Sequence, residues 1–294
     1  MNLNGLGVAL TTPFNESLKI DFPSLENHLN YLLDSNLDYL VILGTTSESP
    51  TLLHSERVEV LNFVSDIVDK RVPLIIGVGG NATKSVIDDM NSYDHSKFES
   101  ILSVCPYYNL PSQNGLFSHF KDIASESKLP IILYNVPSRT GCNLSPETVF
   151  KLSNYTKKII GIKEANPDIN QLKKIIELCS SDFQVISGDD ATSHIAMKYG
   201  AVGSISVIGN AYPIEFKRIL NISTNKNDNL SDNPLGNLKK IISLIFEEGN
   251  PTGIKCVMSK LGIYQNYLRL PLTPASKNLE TKITKEVNIL SSIK

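Results

Sequence analysis

The chain has little of what marks several large classes of protein. Its four cysteines, Cys105, Cys142, Cys179 and Cys256, are scattered, with no C-x-x-C pair and no histidines at ligand spacing. Neither a disulfide framework nor a zinc site is therefore expected, and the four read as reduced core thiols. Charge of one sign is also missing. The net charge is −2 at pH 7, the pI is about 6.2, and no long run of lysine and arginine occurs. That removes the electrostatic footprint of a nucleic-acid partner or of binding to an anionic membrane. No apolar stretch approaches the roughly 20 residues that span a bilayer, and Met1 to Val8 lacks the basic segment and apolar core of a secretory signal. A cytoplasmic protein with a small-molecule partner is expected.

With 294 residues, 41% of them hydrophobic and 20% charged, the chain can bury a large core in one domain, or in one domain plus an appendage. Short apolar runs alternate with stretches of helical periodicity. Gly7–Pro13, a short strand ended by its proline, is followed by an amphipathic Phe22–Leu33, Tyr39–Leu43 by Glu56–Val68, Val72–Ile76 by Thr83–Tyr93, and Ser100–Val104 by Gly115–Ser125. Strands expected at Ile131–Tyr134, Ile159–Lys163, Phe183–Ser187 and Gly203–Val207 each trail a helical pattern too. Eight strand–helix units in about 220 residues match an α/β fold of the (β/α)8 TIM-barrel type better than an open doubly wound sheet. The segment Asn221–Asn237, rich in Asn, Asp and Ser, reads as a linker or exposed loop. Helical patterns at Leu238–Phe246, Gly253–Leu261 and Ala275–Ser291 follow it. The expected organisation is a catalytic barrel over 1–224 and a small C-terminal helical domain over 225–294.

In such a barrel the site lies at the C-terminal ends of the strands. Those ends read Thr11-Thr12, Gly44-Thr45-Thr46, Gly79-Gly80-Asn81, Pro106-Tyr107-Tyr108, Tyr134-Asn135, Lys163-Glu164, Gly188-Asp189-Asp190 and Ser206. Lys163 closes the apolar run Ile159-Ile160-Gly161-Ile162, where water is scarce. Desolvation favours the neutral amine, the form that condenses with a ketone or aldehyde to a Schiff base. A lysine that snorkels from the strand end into solvent is the plain alternative. If the Tyr134 and Lys163 runs are neighbouring parallel strands about 4.8 Å apart, a phenol stands beside the amine and a proton shuttle becomes possible. Gly161, on the same strand face as Lys163, is expected to leave room for a substrate.

Other candidates are weighed against simpler structural roles. Arg139, in a turn bounded by Pro137 and Gly141, suits bidentate capture of a carboxylate, or is a surface arginine. Gly44-Thr45-Thr46 offers hydroxyls and N–H groups to a small carboxylate, or caps a helix. Tyr107 and Tyr108 are most simply buried aromatics. Asp189 and Asp190 resemble a metal pair only loosely, and carboxylates at a helix N-terminus explain them more simply. Gly77-Val78-Gly79-Gly80 lacks the Lys-Ser/Thr ending of a phosphate loop.

From Ala9-Leu10-Thr11-Thr12-Pro13-Phe14 to Leu268-Arg269-Leu270-Pro271-Leu272-Thr273-Pro274, the sequence resembles the dihydrodipicolinate synthase family. These are pyruvate-dependent class I aldolases, related to N-acetylneuraminate lyase. The resemblance is carried most specifically by Gly44-Thr45-Thr46, Pro106-Tyr107-Tyr108-Asn109, Tyr134 to Gly141, and Gly161-Ile162-Lys163-Glu164. It implies that Lys163 forms an imine with pyruvate and that Thr45, Tyr134 and Tyr108 form a proton relay, with Tyr108 supplied by the adjacent subunit of a tight dimer. It implies further that Thr46 holds the pyruvate carboxylate, Arg139 holds that of L-aspartate 4-semialdehyde, and the backbone of Gly188 and Ile205 lines the site. The implied reaction belongs to the diaminopimelate route of lysine biosynthesis and requires no metal or organic cofactor; a homo-oligomer, a dimer or a dimer of dimers, is implied. An aldolase or lyase acting on a sugar acid, and a silent barrel that binds a keto acid, are the rival readings.

Two departures from the family pattern stand out. Ser47 replaces the usual glycine, and its Cβ is expected to shift the Thr45-Thr46 loop. The lysine-inhibition site of many relatives lies near the equivalents of His54, Asn81 and Tyr107. There this chain has Arg57 and Ser85 in place of a histidine and a glutamate, so weak or absent inhibition by L-lysine is expected.

Overall fold

In the computed structural model residues 1–224 and 234–293 are described. Eight parallel strands close in sequence order into a barrel: Gly5–Ala9 (β1), Tyr39–Ile42 (β2), Leu74–Val78 (β3), Ser100–Val104 (β4), Ile131–Asn135 (β5), Ile159–Glu164 (β6), Gln184–Ser187 (β7) and Gly203–Ser206 (β8). The ring closes where β1 pairs with β8. The helices are Phe22–Asp34 (α1), His54–Val68 (α2), Thr83–Asn91 (α3), Gln113–Glu126 (α4), Pro137–Thr140 (α5), Pro146–Tyr155 (α6), Ile169–Leu178 (α7), Ser193–Tyr199 (α8), Pro213–Ser223 (α9), Leu238–Glu247 (α10), Thr252–Lys260 (α11) and Lys277–Ser292 (α12). The expected (β/α)8 barrel is the observed architecture.

Local chemistry accounts for the helix starts. Asp21, Ser112, Ser145, Asp168 and Ser276 each accept a backbone N–H from the first turn of the helix that follows, satisfying donors that the helix itself leaves free. Proline in the first turn of α1, α6 and α9 fits the fixed φ of that position.

Strand alternation sorts the apolar residues into two layers. Tyr39, Val41, Ile75, Ile132, Tyr134, Ile186 and Ile205 fill the barrel interior, while Leu40, Ile42, Ile76, Ile131 and Leu133 pack outward against the helices. Each such side chain, fully buried, contributes about 1.5–3 kcal/mol relative to exposure. Helices α10 to α12 pack on one another and send Ile241, Ile245, Ile254, Val257 and Leu279 into the same outer cluster.

Several element ends differ from expectation for physical reasons. Pro73 has no N–H to give a ladder, and β3 begins after it and runs on through Gly77 and Val78; that glycine run is part strand, not a phosphate loop. Asn221 to Ser223, expected in a linker, form the last turn of α9. Most of the expected linker, and the boundary expected after residue 224, lies at or within 225–233, outside the described residues. The expected turn around Arg139 is one helical turn, α5, ended by Gly141 at φ 75°.

Candidate active site

Lys163 points into the barrel from β6 and is only 5% exposed. Its Cα partner across the β5–β6 ladder is Tyr134. Alternation puts both side chains on the inner face, and the Lys163 Nζ lies 4.4 Å from the centre of the Tyr134 ring. The lysine therefore does not snorkel into solvent: it shares the barrel interior with Ile132, Ile186 and Ile205.

The room beside this amine comes from a different glycine than the one expected. A Cβ on Gly161 would stand 2.3 Å from the Gln184 backbone oxygen, so Gly161 lets β7 approach β6 and opens no space for a substrate. A Cβ on Gly188 would stand 2.8 Å from Lys163 Cε and 3.0 Å from its Cγ. Gly188 is the residue that keeps the lysine stem clear.

After β2 the chain turns sharply, with Leu43 and Glu48 both in the left-handed region at φ 60° and 55°. Between them Thr45–Ser47 form a single 3-10 turn whose N-cap is Gly44, with no side-chain capping bond. The threonine hydroxyls are thus not spent as caps. The Ser47 hydroxyl donates to the Leu10 carbonyl at 2.6 Å, anchoring the loop to the end of the β1 segment, and the left-handed strain falls on its neighbours instead of on Ser47. Thr46 Oγ1 accepts a 3.0 Å bond from Asn250 Nδ2, and Arg139 Nη2 donates to the Asn250 carbonyl at 3.2 Å.

These groups surround one cavity of about 220 Å³, walled by Thr45, Thr46, Tyr134, Arg139, Lys163 and Gly188, with Asn250 beside them. A second cavity of about 310 Å³ shares Thr45, Tyr134 and Arg139 with it and continues outward to Arg57, Asp89 and Tyr107. A buried amine, a phenol, two threonine hydroxyls and a guanidinium at one end of a barrel suit imine chemistry on a small carboxylate-bearing carbonyl compound. No metal-binding group of His, Cys, Asp and Glu occurs among the described residues.

The chain matches the Dihydrodipicolinate synthetase family over residues 2–290. It belongs to that family. The 4-hydroxy-tetrahydrodipicolinate synthase of Azobacteroides pseudotrichonymphae is 46% identical over 283 residues, covering 96% of each chain. That of Parabacteroides distasonis is 41% identical over 291 residues, covering 99% of this chain and 98% of the other. Among solved structures, the dihydrodipicolinate synthase of Aquifex aeolicus superposes with a TM-score of 0.94 at 34% identity, covering 98% of both chains. That of Thermotoga maritima gives 0.94 at 35% identity over 100% of both.

Two residues expected at the site, Tyr108 and Ile205, do not line the cavity of their own chain. Tyr108 follows β4 at φ 76° and is 87% exposed, and Tyr107, at 42% exposed, reaches only the outer cavity. Neither is the buried aromatic expected from its strand-end position, because the loop after β4 carries both outward. Ile205 is fully buried in the barrel interior, and it is Val207, two residues on, that lines the cavity.

Asp190 does not sit at a helix N-terminus. It is buried and accepts the N–H groups of Val207 and Ile208 at 3.1 and 2.7 Å, fixing the chain that leaves β8, and burial raises its carboxyl to about 6. Asp189 does serve the start of α8, accepting the Thr192 N–H at 3.2 Å and its hydroxyl at 2.6 Å.

Sequence reasoning missed three groups around the site. Asn250 joins Thr46 to Arg139, yet it lies 204 residues from Thr46, and no local pattern marks it. Glu48 and Lys255, both fully buried, meet at 2.5 Å; Lys255 also donates to the Tyr267 carbonyl at 3.0 Å. Burial lowers the Lys255 amine to about 8, with Glu48 opposing the fall. This pair ties the Thr45–Thr46 loop to α11. The third group is Glu164, next to Lys163 but on the opposite face of β6; a polar residue beside each of two paired strand-end residues, Asn135 and Glu164, was its only signal.

Proposed function

We propose that the chain is a lyase with 4-hydroxy-tetrahydrodipicolinate synthase activity, condensing pyruvate with L-aspartate 4-semialdehyde in the diaminopimelate route to lysine. The observation that carries the reading is the buried Lys163 amine set against Tyr134 on the paired strand, in a chain of this family.

Lys163 Nζ attacks the pyruvate carbonyl carbon, water leaves, and an iminium joins enzyme and substrate. Loss of a methyl proton gives the enamine, whose carbon attacks the aldehyde of the second substrate and forms the new C–C bond. The amino group of that substrate then attacks the imine carbon, closes the ring and frees the Lys163 amine. Thr45, Tyr134 and Tyr108 pass the protons, Thr46 holds the pyruvate carboxylate, Arg139 holds the carboxylate of the semialdehyde, and Gly188 and Val207 line the site. No metal or organic cofactor enters these steps.

Tyr108 acts in the site of a second copy of the chain, so the working form is a homo-oligomer, a dimer or a dimer of dimers. What supports this is its 87% exposure, beside Leu110 at 60%, next to Tyr107, which reaches the outer cavity. The barrel, 1–224, carries the chemistry, and the helical unit after it contributes Asn250 and Lys255. A cytoplasmic location suits a biosynthetic enzyme of free metabolites, and no helix among the described residues is long and apolar enough to cross a membrane.

Steady-state assay of Arg139→Ala tests the choice of acceptor. The synthase reading expects kcat/KM for aspartate semialdehyde to fall by roughly 10²-fold or more, since a charged hydrogen-bonding partner is lost, while the imine with pyruvate still forms. Faster turnover of a hydroxylated keto acid than of the semialdehyde pair would contradict it and favour a sugar-acid lyase.

A further inference from the structure

The β5–β6 ladder carries an irregularity below the site. Ile131 pairs with Ile159 but Ile132 pairs with Gly161, so Ile160 is an extra residue on β6. Beyond such a bulge the register must be fixed again, because a slip of one residue would send Lys163 to the outer face. Above the bulge the Cα pairs are Tyr134 with Lys163 and Asn135 with Glu164. By alternation the first pair faces the cavity and the second faces the helices.

The outer pair is buried and closely bonded. Asn135 Nδ2 lies 3.0 and 3.1 Å from the two Glu164 carboxylate oxygens. Gln171 Nε2 of α7 adds 2.9 Å and the Asn166 N–H 2.7 Å. Each of these partners is a donor, an arrangement that satisfies the ionised carboxylate and offers a proton on it no acceptor. The amides are satisfied in turn. Asn135 Oδ1 accepts the Leu144 N–H at 2.9 Å, and Asn143 and Gln171 exchange bonds of 2.8 and 3.0 Å.

We propose that Glu164 is a positioning residue for the reaction: its ionised carboxylate, clasped with Asn135 behind the barrel wall, holds the ends of β5 and β6 in the register that presents Lys163 to Tyr134 and to the keto acid. The inference rests on Lys163 being the nucleophile. Burial raises the Glu164 carboxyl to about 7, against the hydrogen bonds from Gln171, Asn166 and Asn135. The clasp therefore loosens as pH falls through neutrality. Asn135, Asn143 and Gln171 carry no charge. The titratable neighbour is Cys105 after β4, whose thiol is pushed well up by its hydrogen bond to Cys142, by burial, and by the Cys142 and Glu164 charges. Lys163 lies on the other face of the same strand.

The test compares wild type, Glu164→Gln and Glu164→Asp in rapid-quench trapping of the pyruvate imine with borohydride, read by intact mass from pH 6 to 9. The pyruvate KM is measured alongside, with circular dichroism as the check on folding. Misplacing the amine should slow imine formation in Glu164→Gln by roughly tenfold to a hundredfold. Its pyruvate KM should stay within about twofold, because the carboxylate-binding groups are untouched. Its rate should lose the part of the acid limb that the wild type owes to Glu164, and Glu164→Asp, which keeps the charge, should regain part of both rate and limb. A folded Glu164→Gln with the wild-type rate and the wild-type acid limb overturns the inference, as does a Glu164→Asp no faster than Glu164→Gln. An absent adduct in the wild type itself would instead remove the Schiff-base reading.

Discussion

The amine of Lys163 stands 4.4 Å from the centre of the Tyr134 ring because the two residues are direct partners across the β5–β6 ladder. The ring gives the lysine an aromatic face, and in the proposed reaction the phenol carries a proton. These two contributions separate in Tyr134→Phe, which keeps the ring and removes the hydroxyl. Turnover should fall by about 10²- to 10⁴-fold, the range for loss of a positioned acid–base group. Stability should change by less than about 1 kcal/mol. Steady-state kinetics and a thermal melt on one preparation check both.

The Glu48–Lys255 pair makes a prediction about stability. Two fully buried charges 2.5 Å apart satisfy one another only while both are present. Lys255→Met strands the Glu48 carboxylate beside its remaining bond from the Arg269 N–H at 3.2 Å, and should cost about 3–5 kcal/mol. Adding Glu48→Gln should recover part of that loss, because the buried charge is then gone. Urea denaturation of the two variants and wild type measures the coupling.

Much of the fold was legible because each barrel unit is local: an apolar run, a turn and an amphipathic helix within about 30 residues. Lys163 and Tyr134 could be singled out for the same reason, each ending its own strand. What could not be read depends on distant parts of the chain meeting. Asn250 reaches Thr46 and Lys255 reaches Glu48 from the C-terminal helices, contacts that leave no periodicity behind. Room for a substrate was expected at Gly161 for the same reason: it shares a strand with the lysine, whereas only the packed neighbours reveal that a side chain there would push into β7 and that one at Gly188 would push into Lys163.

Glu164 gives a pH dependence of stability with a definite sign. Its carboxyl rises from an ordinary 4.5 to about 7 in the folded protein, so between those values the folded state holds a proton that the unfolded state has released. Stability is full below the unfolded value and falls as pH rises through the folded one, by on the order of 3 kcal/mol. Glu164→Gln, with no proton to lose, should not show this contribution. Denaturant melts of both proteins from pH 4.5 to 8 should therefore converge in slope outside that window and differ inside it.

Around the outer cavity, Asp89 is engaged by Arg57 Nη1 at 3.2 Å and by His54 Nδ1 at 3.4 Å, while Ser85 on α3 offers no carboxylate. An incoming ammonium meets the Arg57 guanidinium there, with Asp89 already engaged and no acid at position 85 to pair with it. Activity should be almost unchanged in millimolar L-lysine; substantial loss in a standard synthase assay would contradict this.

Imine formation between Lys163 and pyruvate underlies every step proposed for the site, and intact-protein mass spectrometry after pyruvate and borohydride reads it. One reduced pyruvyl adduct is expected on the wild type and none on Lys163→Ala. An adduct that persists in Lys163→Ala, or none on either protein, would contradict it.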